Sequence, residues 1–324
     1  MSNETTFLKA IRADPKDLTA RLVYADWLDE CGDPRGELLR LQEEMKTCEV
    51  WSNQYQALKP RRNQLRFECD TEWLKTLNYQ IIHRPMFSRI PEGYENRFRL
   101  IQESIEIWHD LDFFDSNEMV DDRELHGTEA WLGFELPQSL RSWYTRFSQI
   151  RHVWNKQDSW RSHEGLSFDR KRNALIFRDE NQACVSWGVL KKDIVDAHPD
   201  PPVWSFGDTT RMESNEFSNS AITSLLIERA FQRYSAWAEL SDEEFTVWNN
   251  AAQNTMTRCQ DTGKYWFTET LEFYEADDVL YHFDRSSNWI LVSCRTEAAF
   301  NSLDVGIRDW LEPTWDRNVQ YKRG

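Results

Sequence analysis

Apolar residues recur at helical spacing through the first eighty positions. Phe7, Leu8 and Ile11 form one stripe. Asp14-Pro15 predicts its end, because proline pushes the preceding residue out of helical backbone. Leu18, Leu22, Val23, Trp27 and Leu28 form a second stripe, closed by Gly32. Asp33 is placed to cap a third helix with Pro34 at its first position and Leu38, Leu41 and Met45 on its inner face. A further helix is predicted to start near Pro60, with Leu65, Cys69, Trp73 and Leu77 spaced by four. Residues 1–80 therefore read as a small all-helical unit with short connections.

Past Arg84-Pro85 and Pro91-Glu92-Gly93, which mark a boundary near 80–95, the pattern becomes mixed. Phe98, Ile101, Ile105 and Trp108 keep helical spacing. The acidic stretch Asp110 to Glu124 reads as a solvated loop. Thr128 is placed to cap a short helix ending at Gly133, and Pro137 to open another carrying Leu140, Trp143, Tyr144 and Phe147. Strands are predicted at Ala174 to Phe177 and Val185 to Leu190, joined by a hairpin loop at Asp179 to Gln182 in which Asn181 suits left-handed backbone. Asp200-Pro201-Pro202-Val203-Trp204 reads as unfit for a central strand. A long helix is expected from Phe217 to Trp237, then strands at Tyr265 to Tyr274, Val279 to Phe283 and Trp289 to Cys294. Thr296 is placed to cap a last helix through Ala299, Phe300 and Leu303. No internal repeat is visible. Helices and hairpins mixed this way predict an α+β protein: a helical module followed, over roughly 95–315, by a larger domain whose mainly antiparallel sheet is flanked by helices.

Charge sharpens this division. The 324 residues carry 39 basic and 55 acidic side chains, a net charge of −16. The first 80 hold 12 basic and 14 acidic residues, so −14 of that charge belongs to residues 81–324. Strong acidity disfavours nucleic acid and anionic membranes as partners, since both need a basic face. No apolar run approaches membrane-spanning length, and MSNETTFLKAIRADP shows no secretory pattern, which points to a cytoplasmic protein. The six cysteines form no CxxC pair and read as small buried hydrophobes. Sixteen tryptophans are unusual, and each is expected in the core before a ligand platform.

Candidate chemistry is sparse. There is no GxSxG elbow, no GxxxxGK[ST] loop and no GxGxxG turn. The seven histidines are scattered; His152, His163 and the His163-Glu164 pair lack ligand spacing. Asp121-Asp122 and Asp277-Asp278 read as loop solvation, because neighbouring side chains point different ways and make no acid/base couple. The expectation is a protein without catalysis, cofactor or metal. In the first unit, Tyr24, Asp26 and Trp27 fall in one helix with Arg35 shortly behind. Asp26 and Asp29 cannot both face a core unpaired, and Arg21, Arg35 or Arg40 is expected to pair with them as a fold-specifying contact.

That segment, FLKAIRADPKDLTARLVYADWLDECGDPRGELLRLQ, resembles the bacterial repeat-companion domain, and the similarity runs to about Trp73-Leu74. It implies a helical architecture and no activity. Gly36 departs from the pattern, which often has a bulkier residue there. A second stretch resembles the SUKH superfamily, which includes bacterial toxin-immunity proteins and yeast cell-wall regulators. It begins at Thr128 to Pro137 with the following helix and continues through Leu175-Ile176-Phe177, Glu180-Asn181-Gln182, Val185-Ser186-Trp187-Gly188, Pro201-Pro202-Val203-Trp204 and the run Trp289 to Leu303. Ser148-Gln149 stands where that family commonly has Asn-Gly. The resemblance implies a non-catalytic, immunity-type binding module that occludes a protein partner such as a basic toxin. Acidity of the second unit suits this physically, since opposite potentials steer encounter. Glu180, Asn181, Trp187 and Trp204 are the expected contact residues, as aromatic anchors beside polar groups. The alternative is a carbohydrate-binding or glycan-processing protein using Trp154, Trp160, Trp187 and Trp204.

Overall fold

A computed structural model of the chain describes residues 3–14, 17–70, 73–74, 77, 85–109, 120–207, 211–231, 234–261, 271–303 and 311–313. The chain divides into two compact units, Met1–Ile82 and His83–Gly324. Together they make an α+β protein. Pro15, Arg84, the acidic residues 110–119 and the segment 265–270 lie outside the described residues.

The first unit contains α1 (Asn3–Ala13), α2 (Leu18–Glu30), α3 (Arg35–Met45) and α4 (Asn53–Glu68). Asp17 caps α2 by accepting the N–H groups of Thr19 and Ala20, and Gly32 takes the left-handed backbone that ends the connection. The buried face of α2 is Arg21, Tyr24, Ala25 and Leu28, at i, i+3, i+4 and i+7. That register turns the expected core residues Leu18 and Val23 to solvent. In α3, Leu39 joins Leu38 in the core, while Leu41 packs only partly against it. Helix α3 starts at Arg35 with Pro34 in the capping position, one residue later than expected, and Asp33 Oδ1, just before it, accepts the Arg35 N–H at 3.0 Å. Helix α4 starts seven residues before Pro60, because Ser52 Oγ accepts the Tyr55 N–H at 3.1 Å, and the helix runs through the proline. Cys69 ends it in extended backbone.

The second unit opens with α5 (Tyr94–His109), α6 (Asp122–Leu132), α7 (Gln138–Phe147) and the short α8 (Arg151–Trp154). Asp121 and Glu124 make a capping box, so Asp121-Asp122 start a helix instead of lying in a loop, and Thr128 is interior to it. Strands β1 (Ser159–Trp160), β2 (Ser167–Asp169), β3 (Ala174–Asp179), β4 (Ser186–Leu190), β5 (Pro202–Phe206) and β6 (Arg211–Glu216) form an antiparallel sheet in the order β1-β3-β4-β5-β6, with β2 also on β3. Helix α9 (Lys191–Val195) follows β4. Strand β5 is thus interior to the sheet, against the expectation for the Asp200-Pro-Pro segment. Pro202 is its first residue, and the register shifts between Pro202 and Trp204, so the missing N–H is tolerated. In the β3–β4 turn the left-handed residue is Ala183, not Asn181.

Helix α10 (Phe217–Ala230) is buried along its whole length and packs against strands of both sheets and against α5, α7 and α8. Its composition explains this: Ala221, Ile222, Leu225, Leu226 and Ile227 are interspersed with the small Ser218, Ser220 and Ser224, and the larger polar Asn219, Glu228 and Arg229 are buried with hydrogen-bond partners. The helix stops at Ala230, seven residues short of the expected end, and β7 (Tyr234–Glu239) follows. Then come α11 (Asp242–Thr255), β8 (Thr257–Arg258), β9 (Leu271–Ala276), β10 (Val279–Asp284), β11 (Trp289–Cys294), α12 (Glu297–Asn301) and β12 (Glu312–Pro313). These strands build a second antiparallel sheet in the order β12-β7-β11-β10-β9-β8. Thr296 caps α12 through the Ala299 N–H. The run Trp289 to Leu303 therefore belongs to a different sheet from Leu175 to Trp204. One face of the second sheet, with Ala236, Ala238, Tyr274, Tyr281, Phe283, Ile290 and Val292, packs with Phe245 and Trp248 of α11 and Phe300 of α12.

Candidate functional site

The four expected contact residues of the first sheet do not share a surface. Glu180 turns its carboxylate back into the β3–β4 loop, where Oε2 accepts the N–H groups of Gln182 at 2.8 Å and Cys184 at 3.3 Å. Asn181 is exposed beside it. Trp187 is opposite Ser205 in the register, and Gly188 is opposite Trp204. Successive strand residues alternate faces, so the two tryptophans point to opposite sides of the sheet. Trp187 is only 2% exposed and lies under the Arg178 guanidinium, 4.0 Å from the ring centre. Trp204 is half-buried on the other face, over Ala174, Ile176, Leu190 and Phe206. Trp154 and Trp160 are also buried; Trp160 stacks on Trp143 with centroids 4.1 Å apart. Three of the four tryptophans considered as a sugar platform are therefore core residues.

In the first unit the structure brings Tyr24, Trp27 and Arg35 into one cluster. The Tyr24 hydroxyl donates to Glu4 at 2.8 Å and accepts from the Trp73 indole at 2.9 Å. Burial pushes its ionisation well above the usual tyrosine range. Arg35 pairs with Asp33 at 2.6 Å and Glu4 at 3.0 Å and lies 5.0 Å from the Trp73 ring centre. Tyr24 stacks with Trp27 at 6.1 Å. Asp26 stands apart on the exposed side, where Arg40 bridges it and Asp29. The arrangement ties three helices together.

The second unit buries two charged groups side by side on α10. Glu228 accepts the N–H groups of Lys156, Gln157 and Asp158 at 2.6–3.0 Å, and burial still pushes its carboxyl up to about 7. Arg178, beside it, pairs with Asp158 at 2.6 Å. Arg229 donates to the Ser104 carbonyl at 2.8 Å and hydroxyl at 2.6 Å and stacks on Trp108 at 4.7 Å; burial pulls its guanidinium down to about 9. Glu275 on β9, raised by burial, accepts the N–H groups of Met86 and Phe87. These groups bind backbone and nearby side chains, the pairing that a buried charge needs, and fix how the segments meet. Asp278, expected to be solvated, is buried and pairs with Arg295 at 2.6 Å, its own backbone left-handed in the β9–β10 turn.

The exposed aromatic residues lie elsewhere. Trp131, near the end of α6, is 69% exposed. Its position was legible: 600° along the helix from Leu125, it falls off the buried stripe of Leu125, Thr128 and Glu129. Trp289 at the start of β11 is 43% exposed and meets the half-buried Trp237 of β7 with ring centres 5.5 Å apart at 41°. By register Trp289 is opposite Glu239 and Asp284, and Trp237 is opposite Leu291, which is opposite His282. Direct cross-strand partners share a face, so these residues form a patch on the side of the second sheet away from the Tyr281 and Phe283 core. Sequence reasoning missed it because Trp237 was assigned to a helix and Glu239 to nothing; the alternation in Tyr234–Glu239 was the available signal. Among the described residues no group of three or more His, Cys, Asp and Glu side chains is arranged to hold a metal ion, and no helix is long and apolar enough to cross a membrane. Comparison with known protein families, with curated proteins and with solved structures finds no match to this chain.

Proposed function

We propose that the protein is a non-catalytic binding module, of immunity type, that covers a basic protein partner such as a toxin. The single observation that carries this reading is the patch of Trp289 and Trp237 beside the Glu239 carboxylate, set in a unit that holds −14 of the net charge. An aromatic anchor with acidic neighbours supplies contact area and a field that draws in a cation-rich surface. The second unit is read as SUKH-like, supported by the antiparallel sheet that follows the Leu136-Pro137 helix start. The first unit is read as a repeat-companion module, supported by its helices and by the Tyr24, Trp27 and Arg35 cluster. The site of action under this reading is the cytoplasm.

The test is capture from native lysate at low and high salt, with the captured proteins identified. The expected result is enrichment of basic proteins at low salt and their release at high salt, because exposed charge attraction is screened within about 10 Å at 0.1 M salt. Capture of nothing at low salt, or of proteins with no basic bias, overturns it.

A further inference from the structure

We infer that Trp289, Trp237 and Glu239 form a receptor for a single basic side chain, lysine or arginine, presented by the partner. This deepens the function proposed above and rests on it. Two observations support the assignment. The two indoles meet at 41° with centroids 5.5 Å apart, and Trp289 is 43% exposed, so the pair presents indole surface to a cation. Glu239 stands directly opposite Trp289 in the β7–β11 register, is exposed, and among the described residues has no ion pair. That carboxylate is therefore not spent on a cation among the described residues.

The committed occupant is a basic protein segment because the chemistry is complementary at each point. A lysine or arginine stem packs along the indoles while its head meets the Glu239 carboxylate. The neighbouring polar groups are engaged within the chain: Arg285 is paired with Glu272 at 2.8 Å, Asp284, opposite Trp289, accepts from the Ser286 and Ser287 hydroxyls, and Asn288 donates to Asp242.

The experiment uses the full chain with indole-15N tryptophan, hexalysine as the probe and hexaglutamine as the neutral control. Trp289→Phe and Trp237→Phe assign the two resonances. The expected result is a saturable shift of these two indole signals with hexalysine and none with hexaglutamine. Trp289→Leu should weaken binding about 5- to 30-fold, the factor for one or two kcal/mol. The exposed Glu239→Gln, which leaves the fold untouched, should weaken it up to about 5-fold at low salt. Equal small shifts at every tryptophan, no shift, or unchanged affinity in Glu239→Gln overturns the assignment. If Trp289→Leu still captures a basic protein at low salt as wild type does, this receptor is wrong and the binding function stands; if wild type captures none, the function itself fails.

Discussion

Trp187 and Trp204 stand on neighbouring strands, one register step apart, and face opposite sides of the first sheet. Trp187 is pinned inward beneath Arg178, and Trp204 lies across Gly188 on the outer side. A Cβ at Gly188 would come 2.5 Å from the Leu175 carbonyl oxygen, so the strand has room only for glycine there, and the cross-strand indole covers the bare backbone. Trp187→Ala is therefore expected to cost about 3–5 kcal/mol of stability. Trp204→Ala, losing a half-buried ring, should cost clearly less. Denaturant melts of the full chain check the order, and equal losses would contradict it.

Gly36 should resist replacement by the bulkier residue common in the resembling family. Its Cβ would stand 2.7 Å from the Ala25 carbonyl oxygen and against the Asp29 carboxylate, where α3 crosses α2. Alanine gains about 1 kcal/mol of helix propensity, but the backbone clash forces the helices apart at a cost of about 1–3 kcal/mol. The expected outcome for Gly36→Ala is a lower melting temperature. A higher one would show that the helices separate freely.

Glu228 should make stability fall as pH rises toward neutrality. In the unfolded chain its carboxyl ionises near 4.5; in the fold, burial holds the proton until about 7. The folded state thus binds more protons between these values, and stability declines across that window by roughly 3 kcal/mol. Glu228→Gln cannot ionise. Its stability relative to wild type should climb from pH 4.5 to 7 and then level off, as read by urea titrations at each pH. A pH-independent difference would count against the assignment.

His282 should act in the opposite sense. Desolvation pulls its folded pKa down to about 4, against 6.5 in the unfolded chain. Below 6.5 the unfolded state takes a proton that the folded state refuses, so stability is lost as pH falls from 6.5 to 4. His282→Leu, opposite Leu291 on the same face, should lose less stability than wild type over that range. Parallel acid melts of the two proteins decide it.

Much of the helical architecture was legible because it rests on local signals. The stripes through Ile11 and Leu28, the left-handed Gly133 after α6 and the Leu140, Trp143, Tyr144 and Phe147 face of α7 follow from spacing and capping alone. The Ser241/Glu244 capping box of α11 was equally local and went unread. The candidate site was legible only in composition. Tryptophans are abundant, but which of them meet solvent depends on register: Trp187 and Trp204 lie one register step apart on paired strands and so on opposite faces, and Glu239 acquires meaning only when β7 pairs with β11.

By itself, the sequence determined the helical first unit, the acidic mixed second unit and the turns between hairpin strands, since these depend on side chains a few residues apart. Only the tertiary structure decided that Pro202 enters an interior strand, that α10 is enclosed by two sheets' strands and helices, and that Trp237, Trp289 and Glu239 meet. Each of these depends on pairing between segments distant in the chain, where backbone hydrogen bonding and burial choose the register and overrule local propensity.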